Sequence, residues 1–368
     1  MKRYIPENIF VERSIRQSPI VENVLKQLPQ VPVEEIDTVE TKLEEARIWN
    51  PGVPRAKKSL VLARFKGKFL KACPGQQSRG NSKNVCCDYF VINFAGNCHM
   101  ECSYCYLQNY LNFPYLIVYA NTDDLFEELN TAITGSPQRS FRVGTGELAD
   151  SLALDPLTAY SRPLVNFFAG LENAVLELKT KSDHVENLLD LDHRGRTVIA
   201  WSVNPEFIQH SEEHKTATME ERLAAAEKCA DAGYPIAFHF DPIIHYSEWR
   251  TDYRALVQRL FEAVSPEKVA WISLGGLRMN PGQKALVRER FPKSIVPLGE
   301  LIPAEDGKLR YVKPIRVEMY RRLLESIEEF GSGTRVYACM ERPEVWQKAF
   351  GRVPASDLEL GESLVQIF

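Results

Sequence analysis

The chain has 368 residues with 45 Lys and Arg against 49 Asp and Glu, and its formal net charge of −4 excludes a uniformly basic nucleic-acid binder. A hydrophobic content of 44 % excludes a disordered chain, and no apolar run reaches the roughly 18 residues of a membrane span. The first residues lack the apolar stretch of a signal peptide, which predicts a cytosolic protein without membrane contact.

The positive charge is concentrated in two stretches. Residues 55–87 contain nine basic residues and no acidic one, and residues 308–322 contain six basic residues with Glu318 as the only acid. Such local surplus charge favours contact with phosphate even in a net-acidic chain.

In chain order, residues 1–54 are charged and helical in pattern and predict an N-terminal helical extension that ends at a Pro-Gly-Val-Pro break. Residues 55–87 form a basic lead-in segment that contains cysteines. Residues 88–280 alternate short apolar runs with helical segments; the runs are YFVINF, SFRVGTG, AVLELKT, TVIAWSV, PIAFHFDPII and VAWISLGG. Six such βα units predict an α/β fold with a parallel sheet, either doubly wound or a barrel of about six strands.

The remaining residues, 281–368, predict a hairpin or long loop around the turn Glu305-Asp306-Gly307, followed by helices and one strand, RVYACM. Functional side chains of parallel α/β folds lie at the C-terminal ends of the strands. Motifs that follow the apolar runs are therefore the ones most relevant to function.

The most specific motif is a group of three cysteines directly after the first run. Cys98, Cys102 and Cys105 form a CxxxCxxC pattern in one loop, which fits three thiolate ligands of a [4Fe-4S] cluster better than the paired spacing of a zinc site. The fourth iron would stay open for S-adenosylmethionine, which a reduced cluster cleaves to a 5′-deoxyadenosyl radical. A zinc-stabilised nucleic-acid binding module without catalysis is the alternative interpretation.

This motif with Tyr104, the later Gly144-Thr145-Gly146-Glu147 and the segment LKTKSDHVENLLDL resemble the spore photoproduct lyase family of the radical S-adenosylmethionine superfamily, over about residues 55 to 320. The resemblance implies a partial (β/α)6 TIM-type barrel and repair of the thymine dimer 5-thyminyl-5,6-dihydrothymine in DNA, beginning with hydrogen abstraction at C6. It also implies an electron donor such as flavodoxin or ferredoxin, and we expect a monomer. A different lesion, an RNA or a peptide remains the alternative substrate.

The resemblance assigns roles to individual residues. It implies that Cys98, Cys102 and Cys105 bind the cluster and that Tyr104 and Tyr106 relay a hydrogen atom. Contacts with S-adenosylmethionine are implied for Gly144, Thr145, Gly146, Glu147, Lys181, Ser202 and Asn204. DNA contacts at the lesion are implied for the hairpin residues Arg310, Tyr311 and Lys313, and the stretch 55–83, with Phe65 and Phe69 among its lysines, is expected along the DNA backbone.

The sequence departs from the family at one position. Bacillus-type lyases have a hydrogen-donating cysteine just after the second strand, whereas residues 144–150 contain none. Another thiol or a tyrosine must then supply the hydrogen; the thiols are Cys73, Cys86, Cys87 and Cys339, of which we select Cys73 and Cys339 as catalytic residues. Cys229 lies in a helical segment and is expected in the core. His239 and Asp241 follow the fifth run and face either the barrel mouth or each other as a buried pair.

Overall fold

The computed structural model describes residues 1–49, 57–77, 84–111 and 113–366. The strands are β1 (Asn8–Glu12), β2 (Val33–Ile36), β3 (Ser59–Ala63), β4 (Leu70–Ala72), β5 (Tyr89–Ile92), β6 (Ala95–Gly96), β7 (Glu101–Cys102), β8 (Leu116–Tyr119), β9 (Phe141–Gly144), β10 (Ala174–Thr180), β11 (Thr197–Ser202), β12 (Glu213–His214), β13 (Ile236–Ile243), β14 (Val269–Gly276), β15 (Arg278–Met279), β16 (Ile302–Pro303), β17 (Leu309–Arg310) and β18 (Val336–Ala338).

The α-helices connect and cover these strands. They are α1 (Pro19–Gln27), α2 (Val39–Trp49), α3 (Pro74–Gln77), α4 (Leu107–Tyr110), α5 (Thr122–Thr134), α6 (Asp155–Thr158), α7 (Ser161–Ala169), α8 (Glu206–Glu212), α9 (Met219–Asp231), α10 (Trp249–Ala263), α11 (Gln283–Arg290), α12 (Lys313–Gly331), α13 (Pro343–Phe350) and α14 (Asp357–Val365). No helix within the described ranges is both long and apolar enough to cross a membrane.

The main sheet has eight strands in the order β18-β14-β13-β11-β10-β9-β5-β4. Seven of them run parallel, and only the edge strand β4 pairs antiparallel, with β5. The sheet curls into an open half-barrel, so the predicted partial barrel is confirmed, and each of the six predicted apolar runs forms one of its strands. The strand near residue 337 adds a seventh parallel strand to this sheet.

Continuous burial explains why these runs lack the polar alternation of a half-exposed sheet. Every residue of β11 and of β14 is buried, because helices cover the outer face and side chains fill the inner one. Helix α9, which follows β11, begins at a capping box in which the Thr218 side chain accepts from the Glu221 amide. The parallel arrangement brings the C-terminal ends of all seven strands to one edge, and the cysteine loop follows β5 at that edge.

A second sheet corrects our view of the N-terminal segment. Strands β1, β2, β3 and β8 are parallel and β6 joins antiparallel, in the order β2-β1-β3-β8-β6. Residues 1–49 therefore contain two strands besides helices α1 and α2, and they are not a purely helical extension. Strand β1 is buried over Ile9 to Glu12 because it lies inside this sheet, between β2 and the lead-in strand β3.

The C-terminal region contains the hairpin around Gly307. Strands β16 and β17 pair antiparallel, and β17 also pairs with β15, so the hairpin is part of a three-stranded sheet. Gly307 has φ +76°, a left-handed conformation that suits glycine at the turn. Helices α12 and α13 then pack together beside the open side of the main sheet next to β18.

Candidate functional site

The cysteine loop is attached to the barrel by a short strand pairing. Strand β7 pairs antiparallel with β12, which places Cys102 opposite Glu213. Cys102 is buried, whereas Cys98 and Cys105 are half-buried. The Cys105 amide donates to the Cys102 carbonyl at 3.1 Å, which closes a tight turn between the last two thiols. The loop therefore presents its three cysteines from a fixed backbone.

Glu212 accepts hydrogen bonds from the cysteine loop and from residues 294 and 295. Its buried carboxylate accepts from the Ser103 hydroxyl, from the Ser294 hydroxyl at 2.6 Å and from the Ile295 amide at 2.9 Å. Its carbonyl accepts from the Ser103 amide at 2.8 Å. Sequence reasoning missed Glu212 because the surrounding HSEEHK resembles a solvated charged segment, and only tertiary pairing with Ser103 buries it.

Glu213 forms a second buried network with the same loop. Its carboxylate accepts from the Tyr104 hydroxyl, from Asn204 Nδ2 at 2.9 Å and from Arg222 Nη2 at 2.6 Å. The side chains of Glu213 and Arg222 are fully buried. Burial alone raises the pKa of Glu213, but the charges of Arg222 and Lys181 and the two neutral donors lower it to about 2. Glu213 is thus an ionised anchor for Tyr104.

Two lysines lie near the thiols. Burial raises the pKa of Cys98 to about 12, and the nearby ammonium of Lys57 acts in the opposite direction. Burial likewise raises the pKa of Cys102, and the charge of Lys181 opposes this shift. Lys57 is itself buried, and its Nζ donates to the Met100 carbonyl at 2.9 Å. Three thiols on one loop with cations beside two of them suit an anionic thiolate-bound iron–sulfur cluster.

The glycine-rich end of β9 has no room for larger side chains. A Cβ atom on Gly144 would lie 1.6 Å from Tyr89 Oη, and one on Gly146 would lie 2.8 Å from Lys179 Cβ. The Tyr89 hydroxyl is buried and has no hydrogen-bond partner among the described atoms. This tightly packed backbone at a strand end fits the predicted role of holding the methionine part of S-adenosylmethionine.

Thr145, Lys181 and Ser202 are also predicted to contact the cofactor. They lie at the same edge of the sheet and differ in their hydrogen bonds. Thr145 is buried, and its hydroxyl donates to Ser151 Oγ at 2.8 Å. The Lys181 amide donates to Asp150 at 2.8 Å, and its ammonium lies 5.7 Å from the Tyr104 ring centroid. Ser202 is buried, with its carbonyl accepting from Arg222 Nη1 at 2.9 Å.

Both polar atoms of the Asn204 side-chain amide form hydrogen bonds within the protein. Its Nδ2 donates to Glu213, and its Oδ1 accepts from the Tyr253 hydroxyl at 2.7 Å. These bonds assign Asn204 to the network that holds Tyr104, and its predicted contact with the cofactor stays a prediction.

The two tyrosines occupy different environments. The Tyr104 hydroxyl is committed to the Glu213 carboxylate. The Tyr106 hydroxyl donates to the Glu147 carbonyl at 2.5 Å, which ties the cysteine loop to the end of β9. Burial raises the pKa of Tyr106, and the nearby Glu147 raises it further. Tyr106 therefore links the cysteine loop to the glycine-rich strand end.

The four thiols considered as hydrogen donors fall in one region. Burial raises the pKa of Cys73, and charges at Glu147, Cys87 and Cys339 add to the shift. Cys339 Sγ accepts from Arg278 Nη1 at 3.8 Å. Cys86 is buried, and its amide donates to Asp357 at 2.9 Å.

The fifth remaining cysteine lies elsewhere. Cys229 is buried in α9 as part of the main apolar core, which confirms the prediction for this residue.

His239 and Asp241 belong to two separate ion pairs rather than one, the first buried and the second half-buried. His239 Nε2 lies 2.5 Å from Glu177 Oε1, and Glu177 in turn pairs with Arg142 at 2.9 Å. Asp241 pairs with Arg278 at 2.5 Å. The expectation that the two residues pair with each other is wrong, because successive inward-facing positions on β13 meet different neighbouring strands.

The hairpin residues predicted at the DNA lesion are largely occupied inside the protein. Arg310 is 4 % exposed, pairs with Asp306 and donates to the Met340 carbonyl at 3.2 Å. Tyr311 is 2 % exposed, and its hydroxyl accepts from the His245 amide at 3.1 Å. Lys313 is exposed and pairs with Glu344 at 3.4 Å. Arg310 and Tyr311 thus pack the base of the hairpin, and their implied contact with the lesion stays a prediction.

Ion pairs with acidic residues also neutralise part of the positive charge of the basic lead-in stretch. Lys58 pairs with Glu7, Arg64 with Asp124 and Lys66 with Glu40. Phe69 is buried, and Phe65 packs against it with ring centroids 5.0 Å apart. Lys68 and Lys71 are exposed. Arg55, Arg79 and Lys83 lie outside the described residues.

Comparison with known proteins identifies close similarities. The family model described as spore photoproduct lyase matches residues 54–314. A spore photoproduct lyase from Geobacillus sp. (strain Y412MC61) is 27 % identical over 305 residues, covering 82 % of this chain and 86 % of the relative. The spore photoproduct lyase of Bacillus subtilis (strain 168) is 29 % identical over 215 residues, or 57 % of this chain and 63 % of the relative.

Solved structures agree with the sequence comparisons. A spore photoproduct lyase complexed with dinucleoside spore photoproduct aligns with a TM-score of 0.80 and 24 % identity, covering 92 % of this chain and all of that chain. A mutant lyase with bound AdoMet and dinucleoside spore photoproduct aligns with a TM-score of 0.78 and 25 % identity, covering 91 % of this chain and 99 % of that chain. The fold of more than nine-tenths of the chain is thus shared with these structures.

Proposed function

The chain belongs to the spore photoproduct lyase family, and we propose that it converts the spore photoproduct in DNA, 5-thyminyl-5,6-dihydrothymine, back to two thymines. The observation that carries the proposal is the family match over residues 54–314, together with three thiols and a glycine-rich strand end at one edge of the half-barrel. The enzyme class is a radical S-adenosylmethionine lyase that breaks a carbon–carbon bond.

The family uses a [4Fe-4S] cluster and S-adenosylmethionine, and together they supply a 5′-deoxyadenosyl radical that can abstract hydrogen from C6 of the lesion. Cys98, Cys102 and Cys105 would hold the cluster. The backbone of Gly144 and Gly146 would hold the methionine part of S-adenosylmethionine, since a Cβ atom at either position would collide with its neighbours.

The protein prepares this site through its buried carboxylates and lysines. Glu212 and Glu213 fix the two residues between Cys102 and Cys105 by hydrogen bonds to their side chains. Lys57 and Lys181 place positive charge near Cys98 and Cys102 and so favour their thiolate forms. Such preorganisation keeps the loop geometry constant through repeated turnover.

For the hydrogen donor we favour Cys73, with Cys339 as the second choice. Cys73 is half-buried and its amide donates to the Tyr89 carbonyl of β5 at 2.8 Å, whereas Cys339 is held by Arg278 in the Asp241 ion pair. The S–H hydrogen of Cys73 would pass to the thymine radical, and the sulfur radical would then take the hydroxyl hydrogen of Tyr106. The tyrosyl radical would in turn take a hydrogen atom from 5′-deoxyadenosine, so that no radical remains on the protein. Tyr104 supports the loop through Glu213 and is less available for this transfer.

The donor assignment is tested by replacing one thiol at a time. Cys73→Ser should raise the amount of S-adenosylmethionine consumed per thymidine formed, because the thymine radical is no longer quenched by the adjacent thiol. Cys339→Ser tests the second choice in the same assay, and Cys229→Ser is the matched core control. A consumption ratio for Cys73→Ser equal to that of Cys229→Ser would rule out Cys73 as the donor.

The activity itself is tested with anaerobically reconstituted, reduced protein, S-adenosylmethionine and the dinucleoside photoproduct. Thymidine should appear with the unaltered protein and with Cys229→Ala, and should be absent with Cys102→Ala. Iron-loaded protein that forms no thymidine would contradict the proposal.

We further propose that the protein works as a cytosolic monomer that receives electrons from a flavodoxin or ferredoxin. The eight cysteines, all within the described ranges, form no disulfide, which supports the cytosolic part of this proposal. Light scattering behind size-exclusion chromatography should give a mass near 42.0 kDa.

A further inference from the structure

A third basic segment lies outside the two stretches that the sequence emphasises. Residues 283–293, which include α11, contain four basic residues against Glu289 alone, so the segment carries a net charge of +3. Its basic residues are Lys284, Arg288, Arg290 and Lys293. The α11 surface is defined as Lys284, Arg288 and Lys293 with the nearby apolar residues Leu298 and Ile302.

Lys284 and Arg288 donate to backbone carbonyl groups rather than to carboxylates. Lys284 Nζ donates to the Gly299 carbonyl at 3.1 Å, and Arg288 Nη2 donates to the Pro297 carbonyl at 3.5 Å; both acceptors are neutral. Over the described part of the chain, no Asp or Glu forms an ion pair with Lys284, Arg288 or Lys293. In the second basic stretch, by contrast, Arg310 and Lys313 are paired with acids.

Helix α11, which carries this surface, packs against the cysteine loop through other residues. Gln283 Nε2 donates to the Tyr104 carbonyl at 2.8 Å, and Arg290 Nη1 donates to Gln108 Oε1. Asn109 Nδ2 donates to the Pro281 carbonyl at 3.0 Å, just before the helix. The surface therefore borders the edge at which the cluster and cofactor residues lie.

Two large apolar side chains are exposed in the segment that follows α11 along the chain. Leu298 is 71 % exposed and Ile302 is 47 % exposed, and the short turn that contains Leu298 packs against α11. Proteins that open a duplex often insert Leu or Ile between base steps while Lys and Arg contact the flanking phosphates. Cations without acidic partners beside exposed aliphatic residues match that combination.

We propose that the α11 surface binds the DNA backbone next to the lesion, with Leu298 and Ile302 against the disturbed base steps, in place of the buried Arg310 and Tyr311. The inference rests on the proposed function, because the lesion has to reach the strand ends beside the cysteine loop. It names DNA phosphate as the ligand and Lys284, Arg288 and Lys293 as the contacts.

The test measures the salt dependence of duplex binding by the cluster-loaded protein. Each neutralised phosphate contact contributes about 0.9 to the slope of log K against log salt, so Lys284→Gln/Arg288→Gln should lower the slope by about 1.8. Between roughly 50 mM and 200 mM salt, the affinity of the variant should fall about tenfold less than that of the unaltered protein. Iron content and thermal unfolding show whether the variant is folded.

Two further variants separate charge from structure. Arg254→Gln/Arg259→Gln removes the same charge from α10, where both residues pair with acids, and should leave the slope unchanged. Lys284→Arg/Arg288→Lys retains the charge and should retain the slope. An unchanged slope in Lys284→Gln/Arg288→Gln, or an equal drop in the α10 variant, would overturn the inference, as would tighter binding of single-stranded RNA than of duplex DNA.

The same experiment keeps the two proposals distinguishable. Turnover of the dinucleoside photoproduct by the unaltered protein tests the lyase activity without any duplex. Turnover with no change of slope in the α11 variant overturns this inference alone, whereas a change of slope without turnover overturns the lyase activity alone.

Discussion

The buried Glu213–Arg222 pair gives the sharpest prediction for stability. Glu213→Gln removes the carboxylate and leaves the Arg222 guanidinium buried without a counter-charge, since both side chains are fully buried and 2.6 Å apart. Breaking a buried pair from one side costs about 3 to 5 kcal/mol of the free energy of unfolding. The amide group of the variant also carries N–H donors. These would point at other donors, either those of Tyr104 and Asn204 or that of Arg222.

Urea unfolding under anaerobic conditions measures this cost. At an m value of about 3 kcal/mol/M, the unfolding midpoint should fall by about 1 to 2 M urea. Glu7→Gln is the matched control, because Glu7 pairs with Lys58 on the exposed surface, where a pair contributes at most about 1 kcal/mol. Glu213→Gln/Arg222→Met should recover at least half of the loss. A loss below about 1 kcal/mol for Glu213→Gln would refute the reasoning.

Three further predictions concern Gly144, the two tyrosines of the cysteine loop and Glu177. Gly144→Ala should abolish S-adenosylmethionine binding in equilibrium dialysis, because its Cβ would lie 1.6 Å from Tyr89 Oη, and normal affinity would contradict the tight strand end. Tyr106→Phe should raise S-adenosylmethionine consumption per thymidine more than Tyr104→Phe does, and the reverse order would reassign the relay. Burial raises the pKa of Glu177, but the charge of Arg142 outweighs burial and the pKa is strongly lowered. The ionised carboxylate therefore stabilises the folded protein above the usual carboxyl pKa, and this stabilisation is lost as pH falls below about 4. Unfolding free energies of Glu177→Gln and the unaltered protein should therefore converge on acidification; a constant difference from neutral to acid pH would contradict this.

The barrel could be predicted from the sequence because its strands are buried on both faces. Such strands appear as continuous apolar runs, and all six runs became strands of the main sheet. The N-terminal sheet could not be predicted in the same way. Three of the four residues of β2 are exposed, and the strands that complete the sheet are supplied by distant segments of the chain.

The site was predictable where chemistry requires a fixed spacing, as in the three cysteines, and less so where function depends on tertiary pairing. Glu212 and Glu213 resemble surface acids in the sequence but are buried because β12 pairs with β7. Arg310 and Tyr311 resemble exposed contact residues in the sequence. In the structure Arg310 forms an ion pair with Asp306, and the Tyr311 hydroxyl accepts a hydrogen bond from the His245 amide. The family match also decides against the zinc-stabilised binding module as an interpretation of the cysteines.

The most direct test of the account uses dinucleoside spore photoproduct carrying deuterium at C6, with the reduced, cluster-loaded protein and S-adenosylmethionine. Mass spectrometry should find thymidine as the product and deuterium in the adenosyl group of the cofactor. Thymidine without deuterium transfer to the cofactor, or no thymidine at all, would contradict direct reversal of the lesion by a radical S-adenosylmethionine enzyme.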